Sequence, residues 1–144
     1  MRISDVLHAK GSADVVTIRP DAAVRELLVV LSDHNVGALV VSEDGVRPVG
    51  IVSERDVVRR LLQGDDVLDR DVASIMTVDI RACQPDDSLD DLMRLMTEHR
   101  VRHVPVVTEG RLAGIISIGD VVKVKMSELQ FERDQLNSYV AGAQ

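Results

Sequence analysis

Two segments of seven residues, GIVSERD from Gly50 and GIISIGD from Gly114, place a serine and an aspartate at the same spacing. A serine followed three residues later by an acid forms a capping box, in which both side chains bind backbone N–H groups at the start of a helix. Such a helix start also favours an anion. A carboxylate there can in addition accept hydrogen bonds from two adjacent hydroxyl groups, such as the 2′,3′-diol of a ribose. Because a carboxylate has two oxygens, the pattern leaves both interpretations of Asp56 and Asp120 open.

The similarity between the two halves of the chain extends on both sides of these segments. Corresponding positions include Arg19-Pro20-Asp21 and Gln84-Pro85-Asp86, His34 and His99, Val36 and Val101, and Gly45 and Gly110. The units of solenoid proteins are shorter and more numerous than these two copies. The repeat therefore predicts a duplicated unit with pseudo-twofold symmetry.

Each copy shows the pattern of a β-α-β-β-α unit. In the first copy, apolar periodicity and turn residues predict strands over 15–18, 37–42 and 49–53, a helix opened by Pro20-Asp21 with Asp21 as its N-cap, and a helix from Asp56 to about Leu62. In the second copy they predict strands over 80–83, 103–107 and 112–117, a helix over 89–98 and a long helix from Asp120. We expect one unit over residues 1–65, a second over 66–126 and a helical extension over 127–144.

Composition limits the function classes. The chain has 144 residues and a net charge of −7, which disfavours binding to phosphate backbones of nucleic acids. No apolar stretch approaches the roughly 20 residues that span a bilayer, and the N-terminal residues lack the apolar region of a signal peptide. Cys83 is the only cysteine, which fits a reducing compartment. We therefore expect a cytoplasmic protein that binds neither membrane nor nucleic acid.

The β-α-β-β-α unit ending in glycine, two apolar residues, serine and aspartate resembles a CBS domain, and two such units in tandem resemble a CBS pair, or Bateman module. The resemblance covers about residues 3–125 and includes the segments Ser74-Ile75-Met76-Thr77 and Arg102-His103-Val104-Pro105-Val106-Val107. It implies an α+β (α/β-like) fold in which the two units pack sheet to sheet around a pseudo-twofold axis. An extended C-terminal helix would follow the second unit.

In a CBS pair, two clefts between the units resemble adenosine-nucleotide sites. The resemblance implies a first cleft of Lys10, Gly11, Asp14, Val16, Val36, Gly37, Ile115, Ser117 and Asp120. It implies a second cleft of Thr77, Asp79, Arg81, Val101, Arg102, His103, Ile51, Ser53 and Asp56. The two aspartates would hold ribose, and the apolar residues Val16, Val36, Val101, Ile51 and Ile115 would enclose adenine. Backbone groups of 11–14 and 77–79 would bind the adenine edge.

The two predicted clefts differ in charge. Arg102 and His103 of the second copy stand where the first copy has Gly37 and Ala38, so the second cleft has charge that can bind phosphate. Ser53 and Ser117 can add hydroxyl contacts to a phosphate. Arg55 can reach a phosphate as well, or it can be a solvated arginine at a helix start.

Other reactive patterns in the chain favour structural interpretations. His99 and His103 have the spacing of zinc ligands on a helix, but a helix is expected to end between them, and no acid or cysteine completes the set. Cys83 falls in a predicted strand, where buried packing is expected. We therefore predict no catalytic residue, no metal and no catalytic cofactor.

These observations predict a regulatory module that binds AMP, ADP, ATP or NAD(H) and signals energy or redox state to a separate, unidentified protein. The two units account for nearly the whole chain, so we expect no attached catalytic domain. The resemblance also implies a homodimer. Alternatives are an S-adenosylmethionine sensor, a constitutive protein-interaction module with vestigial clefts, a small hydrolase or transferase using Asp56, Asp120 and His103, and a nucleic-acid binder using the basic stretch from His99 to His103.

Overall fold

The computed structural model describes residues 1–11 and 15–142. Its elements are α1 (Ile3–Lys10), β1 (Thr17–Ile18), α2 (Val24–His34), β2 (Ala38–Ser42), β3 (Pro48–Ser53), α3 (Glu54–Leu61), two 3-10 turns (Val67–Asp69 and Val72–Ser74), α4 (Leu89–His99), β4 (His103–Thr108), β5 (Arg111–Ser117) and α5 (Ile118–Gly142). The predicted α+β fold with a long C-terminal helix is confirmed. Within the described ranges, no helix is both long and apolar enough to cross a bilayer.

The two units contain equivalent small sheets. In the first, β1 lies parallel to β2, and β2 pairs antiparallel with β3. In the second, β4 pairs antiparallel with β5. The hairpin turns contain Gly45 and Gly110 with φ of 78° and 76°, a left-handed conformation that suits glycine. The repeat in the sequence is therefore a repeat of the fold.

Alternating side chains of each strand face different layers. Leu39 and Val41 of β2 join α2 in the core of the first unit. Ala38 and Val40, on the other face of β2, are also buried, although they lie outside that core. That face turns toward the second unit, because Ala38 lines one cavity together with Val101, Arg102 and His103. The sheets thus cover each other, as the resemblance implies.

The hydrophobic core of each unit is completed by residues from the other half of the chain. Ile3 and Val6 of α1 lie in the core of the second unit and are fully buried. Val72 and Ile75, which follow the first unit in the chain, lie in the core of the first unit. Burial of one such side chain contributes about 1.5–3 kcal/mol. The domain bounds at 65 and 126 stay predictions. The structure shows in addition that the two units exchange core segments.

The repeated glycine allows the exchanged segments to cross the sheets. A Cβ on Gly50 would lie 2.7 Å from Sδ of Met76 and 3.0 Å from the carbonyl oxygen of Thr77. A Cβ on Gly114 would lie 2.6 Å from Cδ2 of Leu7. All three distances are shorter than van der Waals contact. The first residue of each seven-residue segment is therefore set by close packing against the segment that crosses the sheet.

Two details of the sequence prediction are wrong. Asp21 does not cap α2: the N-cap is Ala23, and the Asp21 carboxylate lies 3.0 Å from Nε of Arg19. The attraction of the neighbouring guanidinium holds this carboxylate in the turn before the helix. The strand predicted over 80–83 is reduced to one parallel bridge between Cys83 and Val106. A tight turn, in which the Ile80 N–H donates to the Val78 carbonyl at 3.0 Å, directly precedes this segment. Its bridge to β4 consists of the hydrogen bonds that Cys83 makes with Pro105 and Val107.

The last helix of each unit begins earlier than the periodicity predicted. Helix α3 begins at Glu54 and α5 at Ile118, each directly after the serine of the repeated segment. Ser53 is the N-cap of α3, so its position fixes the helix start two residues before Asp56. The aspartate is thus inside the first turn of the helix.

We expect Gly50→Ala to lower the free energy of unfolding by about 1–3 kcal/mol, because the added methyl group overpacks the crossing with Met76 and Thr77. Gly119→Ala is the matched control, since its Cβ would meet only Oγ of Ser117, at 3.6 Å. Urea denaturation measures both. Equal stability of the two variants would contradict the packing role of Gly50.

Candidate functional site

The two repeated aspartates form the capping boxes that their spacing predicts. The backbone N–H of Ser53 donates to Oδ2 of Asp56 at 2.8 Å, and the backbone N–H of Asp56 donates to Oγ of Ser53 at 3.4 Å. The equivalent distances for Ser117 and Asp120 are 2.9 and 3.2 Å. The hydrogen bonds among the described residues leave Oδ1 of both aspartates available. Each carboxylate can therefore cap its helix and still accept ligand hydroxyls.

A cavity of about 280 Å³ lies between the two units. Every residue that the resemblance implies for the second cleft lines it: Thr77, Asp79, Arg81, Val101, Arg102, His103, Ile51, Ser53 and Asp56. Arg55 and Gly37 line it as well, although Gly37 is predicted for the first cleft. The fold thus brings residues that are distant in sequence into one cavity, and their individual roles stay predictions.

One wall of this cavity is fixed by backbone hydrogen bonds. Ile51 and Thr77 exchange two of them, each 2.9 Å long. The N–H of Thr77 is therefore occupied and cannot bind the edge of an adenine, which corrects that part of the expectation. Backbone bonds within the described chain leave the N–H groups of Val78 and Asp79 for this purpose.

The sequence prediction missed three charged residues of the cavity, Glu54, Arg59 and Arg100. Arg59 follows Arg55 by one turn of α3, so i, i+4 spacing on a helix already placed the two on one face. Arg100 ends α4 in a left-handed conformation with φ of 53°. It belongs to the basic stretch from His99 to His103, but only the fold shows that this stretch faces α3.

In the first cleft, a lysine already contacts the predicted ribose carboxylate. Nζ of Lys10 lies 2.9 Å from Oδ2 of Asp120 and donates to the carbonyl of Ile115 at 2.6 Å. The two charged side chains are only 29% and 23% exposed, so water screens their attraction less than at an open surface. Burial acts to raise the pKa of Asp120, but the Ser117 N–H and the Lys10 ammonium outweigh it and hold the pKa below its ordinary value.

The remaining residues of the first cleft are less closely associated. Gly11 ends α1 with φ of 72°, and Val16 is partly buried against the core of the first unit. Val36 is exposed. Asp14 lies outside the described residues. The structure therefore brings Lys10, Ile115, Ser117 and Asp120 together, and the places of Gly11, Val16, Val36 and Gly37 in the first cleft stay predictions.

His103 lies near charged groups of both clefts. Burial lowers its pKa below the ordinary value, and the positive charges of Arg102 and Lys10 act in the same direction. The carboxylates of Asp120 and Glu54 partly oppose this shift of the pKa. The imidazole is therefore neutral at pH 7, and an added phosphate would favour its protonation.

We expect the protein to lose stability as pH falls from about 7 through 6.5, because unfolded histidine, with its ordinary pKa of about 6.5, binds a proton more readily than folded His103. The His103→Gln variant should lose less stability over the same pH interval. Urea denaturation at several pH values between 7.5 and 5.5 measures the difference. The same loss in both proteins would contradict this role of His103.

The surroundings of Cys83 indicate a structural role rather than a reactive one. Burial, with a smaller effect of Asp87, raises the pKa of the Cys83 thiol to about 12, so the thiol is protonated and a poor nucleophile at neutral pH. Its sulfur lies 3.7 Å from the carbonyl oxygen of Pro105. Over residues 1–11 and 15–142, no group of three histidine, cysteine or acidic side chains is placed to hold a metal ion.

Known proteins share this architecture. A family model described as CBS domain matches residues 3–63 and 72–127. The mitochondrial CBS domain-containing protein CBSX3 of Arabidopsis thaliana is 37% identical over 148 residues, which cover 97% of this chain and 72% of the relative.

Solved structures give the same result. A CBS-domain containing protein from Agrobacterium tumefaciens is 44% identical, with a TM-score of 0.82, and the match covers 87% of this chain and 99% of that chain. A CBS domain protein from Pyrobaculum aerophilum, solved in complex with AMP, is 31% identical. Its TM-score is 0.72, and the match covers 83% of this chain and 89% of that chain. Both the sequence repeat and the tertiary structure are thus shared with these proteins.

Proposed function

Since the chain belongs to the CBS domain family, we propose that it is a regulatory module that binds an adenine nucleotide in the second cleft. The ligand would be AMP, ADP, ATP or NAD(H). The observation that carries this proposal is the cavity in which a free Asp56 oxygen and the basic pair Arg102 and His103 line the same space. The AMP complex of the relative from Pyrobaculum aerophilum supports it.

The proposed mechanism is linkage between ligand binding and the arrangement of the units. Ser53 and Asp56 belong to the first unit, whereas Arg102 and His103 belong to the second. A nucleotide that contacts both sets binds one relative arrangement of the units better than others and shifts the population toward it. A separate protein would sense that arrangement. The module would thus act through a regulated partner rather than through catalysis.

The second cleft is the better candidate site. In the first cleft, Asp120 is neutralised by Lys10, and a ribose would have to compete with an ion pair 2.9 Å long. Within the described chain, Asp56 has no basic side chain within 4.0 Å. We propose that the nucleoside binds through Asp56 and that its phosphate lies near Arg102, with Ser53 and Arg55 beside it. S-adenosylmethionine shares the nucleoside but lacks the phosphate.

We expect Asp56→Ala to weaken nucleotide binding by about ten- to a hundred-fold, because a hydrogen bond to a charged group contributes about 1.5–3 kcal/mol. Asp120→Ala is the comparison variant for the first cleft: it removes the equivalent cap from α5 and the other predicted ribose carboxylate, and it should weaken binding less than Asp56→Ala does. Calorimetric titration with AMP, ATP, NADH and S-adenosylmethionine measures both variants and the wild-type protein.

Two results of this titration would contradict the proposal. If folded protein that is free of carried-over nucleotide binds none of these compounds, the aspartates serve only as helix caps. The constitutive protein-interaction module would then replace the nucleotide sensor. If S-adenosylmethionine binds more tightly than AMP, the phosphate would contribute nothing, and the ligand assignment would change to the sulfonium compound.

We also propose a homodimer, in which repeated apolar positions on α3 and α5 meet a second copy. Val58 and its counterpart Val122 are 58% and 49% exposed, and Leu62 and its counterpart Met126 are 88% and 66% exposed. Water contact at four apolar side chains in equivalent positions is unfavourable, and covering them by association would be favourable. The exposed remainder of α5, with Leu129, Leu136 and Val140, would extend that surface or bind the regulated partner.

We expect Val58→Glu to shift the protein from dimer to monomer, because a charge would be buried without a partner at the proposed interface. Val29→Glu is the matched control, since Val29 is 55% exposed on α2 but its counterpart in the second unit is Arg94. Sedimentation velocity measures the masses of wild-type protein and both variants. A monomeric wild-type protein, or a dimer in both variants, would contradict the proposed interface.

A further inference from the structure

We infer that the second cleft selects an adenosine di- or triphosphate over the monophosphate, through arginines that the fold gathers from both units. This inference rests on the proposed function and specifies the ligand class of the same site. We assign the discrimination between these nucleotides to four arginines of the cavity, Arg55, Arg59, Arg100 and Arg102. Neither Arg59 nor Arg100 was predicted from the sequence as a binding residue.

The cavity concentrates positive charge in an acidic protein. The chain has 17 lysines and arginines and a net charge of −7, yet the arginines at positions 55, 59, 81, 100 and 102 all line this one cavity. Arg55 and Arg59 lie one turn apart on α3. Arg100 and Arg102 come from the segment between α4 and β4 of the other unit. The positive charges therefore come from two walls.

Most of this charge has no ion-pair partner among residues 1–11 and 15–142. Among the described residues, Arg55, Arg59, Arg100 and Arg102 have no carboxylate within 4.0 Å, whereas Arg81 lies 3.8 Å from Asp79. Unpaired guanidinium groups that share a cavity repel one another, and a bound anion removes that repulsion. Guanidinium groups also bind phosphate oxygens in pairs of hydrogen bonds.

The conformation of Arg100 supports a role in binding. Arg100 ends α4 with φ of 53°, in the left-handed region that a long side chain rarely adopts. Its counterpart at the end of α2 is Asn35, with φ of 52°, and asparagine tolerates this conformation better. The helix end therefore does not require an arginine. Strained residues are enriched at functional sites, and Arg100 combines this conformation with a place in the cavity wall.

The arrangement fits several phosphates better than one. A single phosphate beside Arg102 and Arg55 would leave Arg59 and Arg100 without an anion. A chain of two or three phosphates carries more negative charge and can extend from one wall to the other. In the first cleft, Lys10 is already paired with Asp120 at 2.9 Å. The selection should therefore belong to the second cleft alone.

The test is calorimetric titration of the full chain with AMP, ADP and ATP, without magnesium, in one buffer. We expect wild-type protein to bind ATP at least about tenfold more tightly than AMP. Arg59→Gln and Arg100→Asn should each weaken ATP binding by about five- to tenfold and leave AMP binding within about twofold. Asparagine is chosen at position 100 because Asn35 holds the same backbone conformation.

Arg94→Gln is the matched control, because Arg94 lies on α4 outside the cavity and pairs with Asp91 at 3.8 Å. It should bind all three nucleotides as the wild-type protein does. Urea denaturation should show that Arg100→Asn is at least as stable as wild type, which separates weaker binding from misfolding.

The outcomes separate the inference from the function on which it rests. Equal affinity for AMP and ATP in wild-type protein would overturn the selection while leaving a nucleotide-binding module. Tighter ATP binding that neither arginine variant reduces would overturn the assignment of these residues. Absence of binding by any of the three nucleotides would overturn both the inference and the proposed function.

Discussion

The exchange of core segments between the two units is the constraint on which the rest of the structure depends. Ile3 and Val6 fill the second core, and Val72 and Ile75 fill the first. Neither core is complete without residues from the other half of the chain, so each unit depends on the other to bury its apolar surface. The clefts between the units are consequently held by apolar packing on both sides.

This exchange also explains the composition of the repeated segment. Its glycine is needed where the exchanged segment crosses the sheet, and its serine and aspartate begin the helix that follows. The same short stretch thus packs against the crossing segment, caps a helix and lines a cleft. Capping uses Oδ2 of Asp56 and of Asp120, and the second oxygen of each carboxylate remains for a ligand. Structural and binding roles are compatible because they use different atoms.

Duplication produced two similar clefts that differ in electrostatics. In the first cleft, Lys10 and Asp120 neutralise each other. In the second, Asp56 faces a cavity lined by arginines whose charges are largely unpaired. Protonation of His103, which lies near charged groups of both clefts, would respond to an anion bound in either. The physical asymmetry therefore comes from a few side chains placed on a nearly symmetric backbone.

The sequence by itself determined the repeated unit and the helix caps at Ser53 and Ser117, because periodicity and cap spacing act over a few residues. The residues of the second cleft were implied by the resemblance to a CBS pair, and their roles stay predictions. The sequence did not determine that the predicted strand 80–83 is reduced to a bridge at Cys83. Nor did it determine the pairing of Lys10 with Asp120 or the position of Arg100 opposite α3. Those contacts join residues far apart in the chain, and only the packing of the two units brings their charges together.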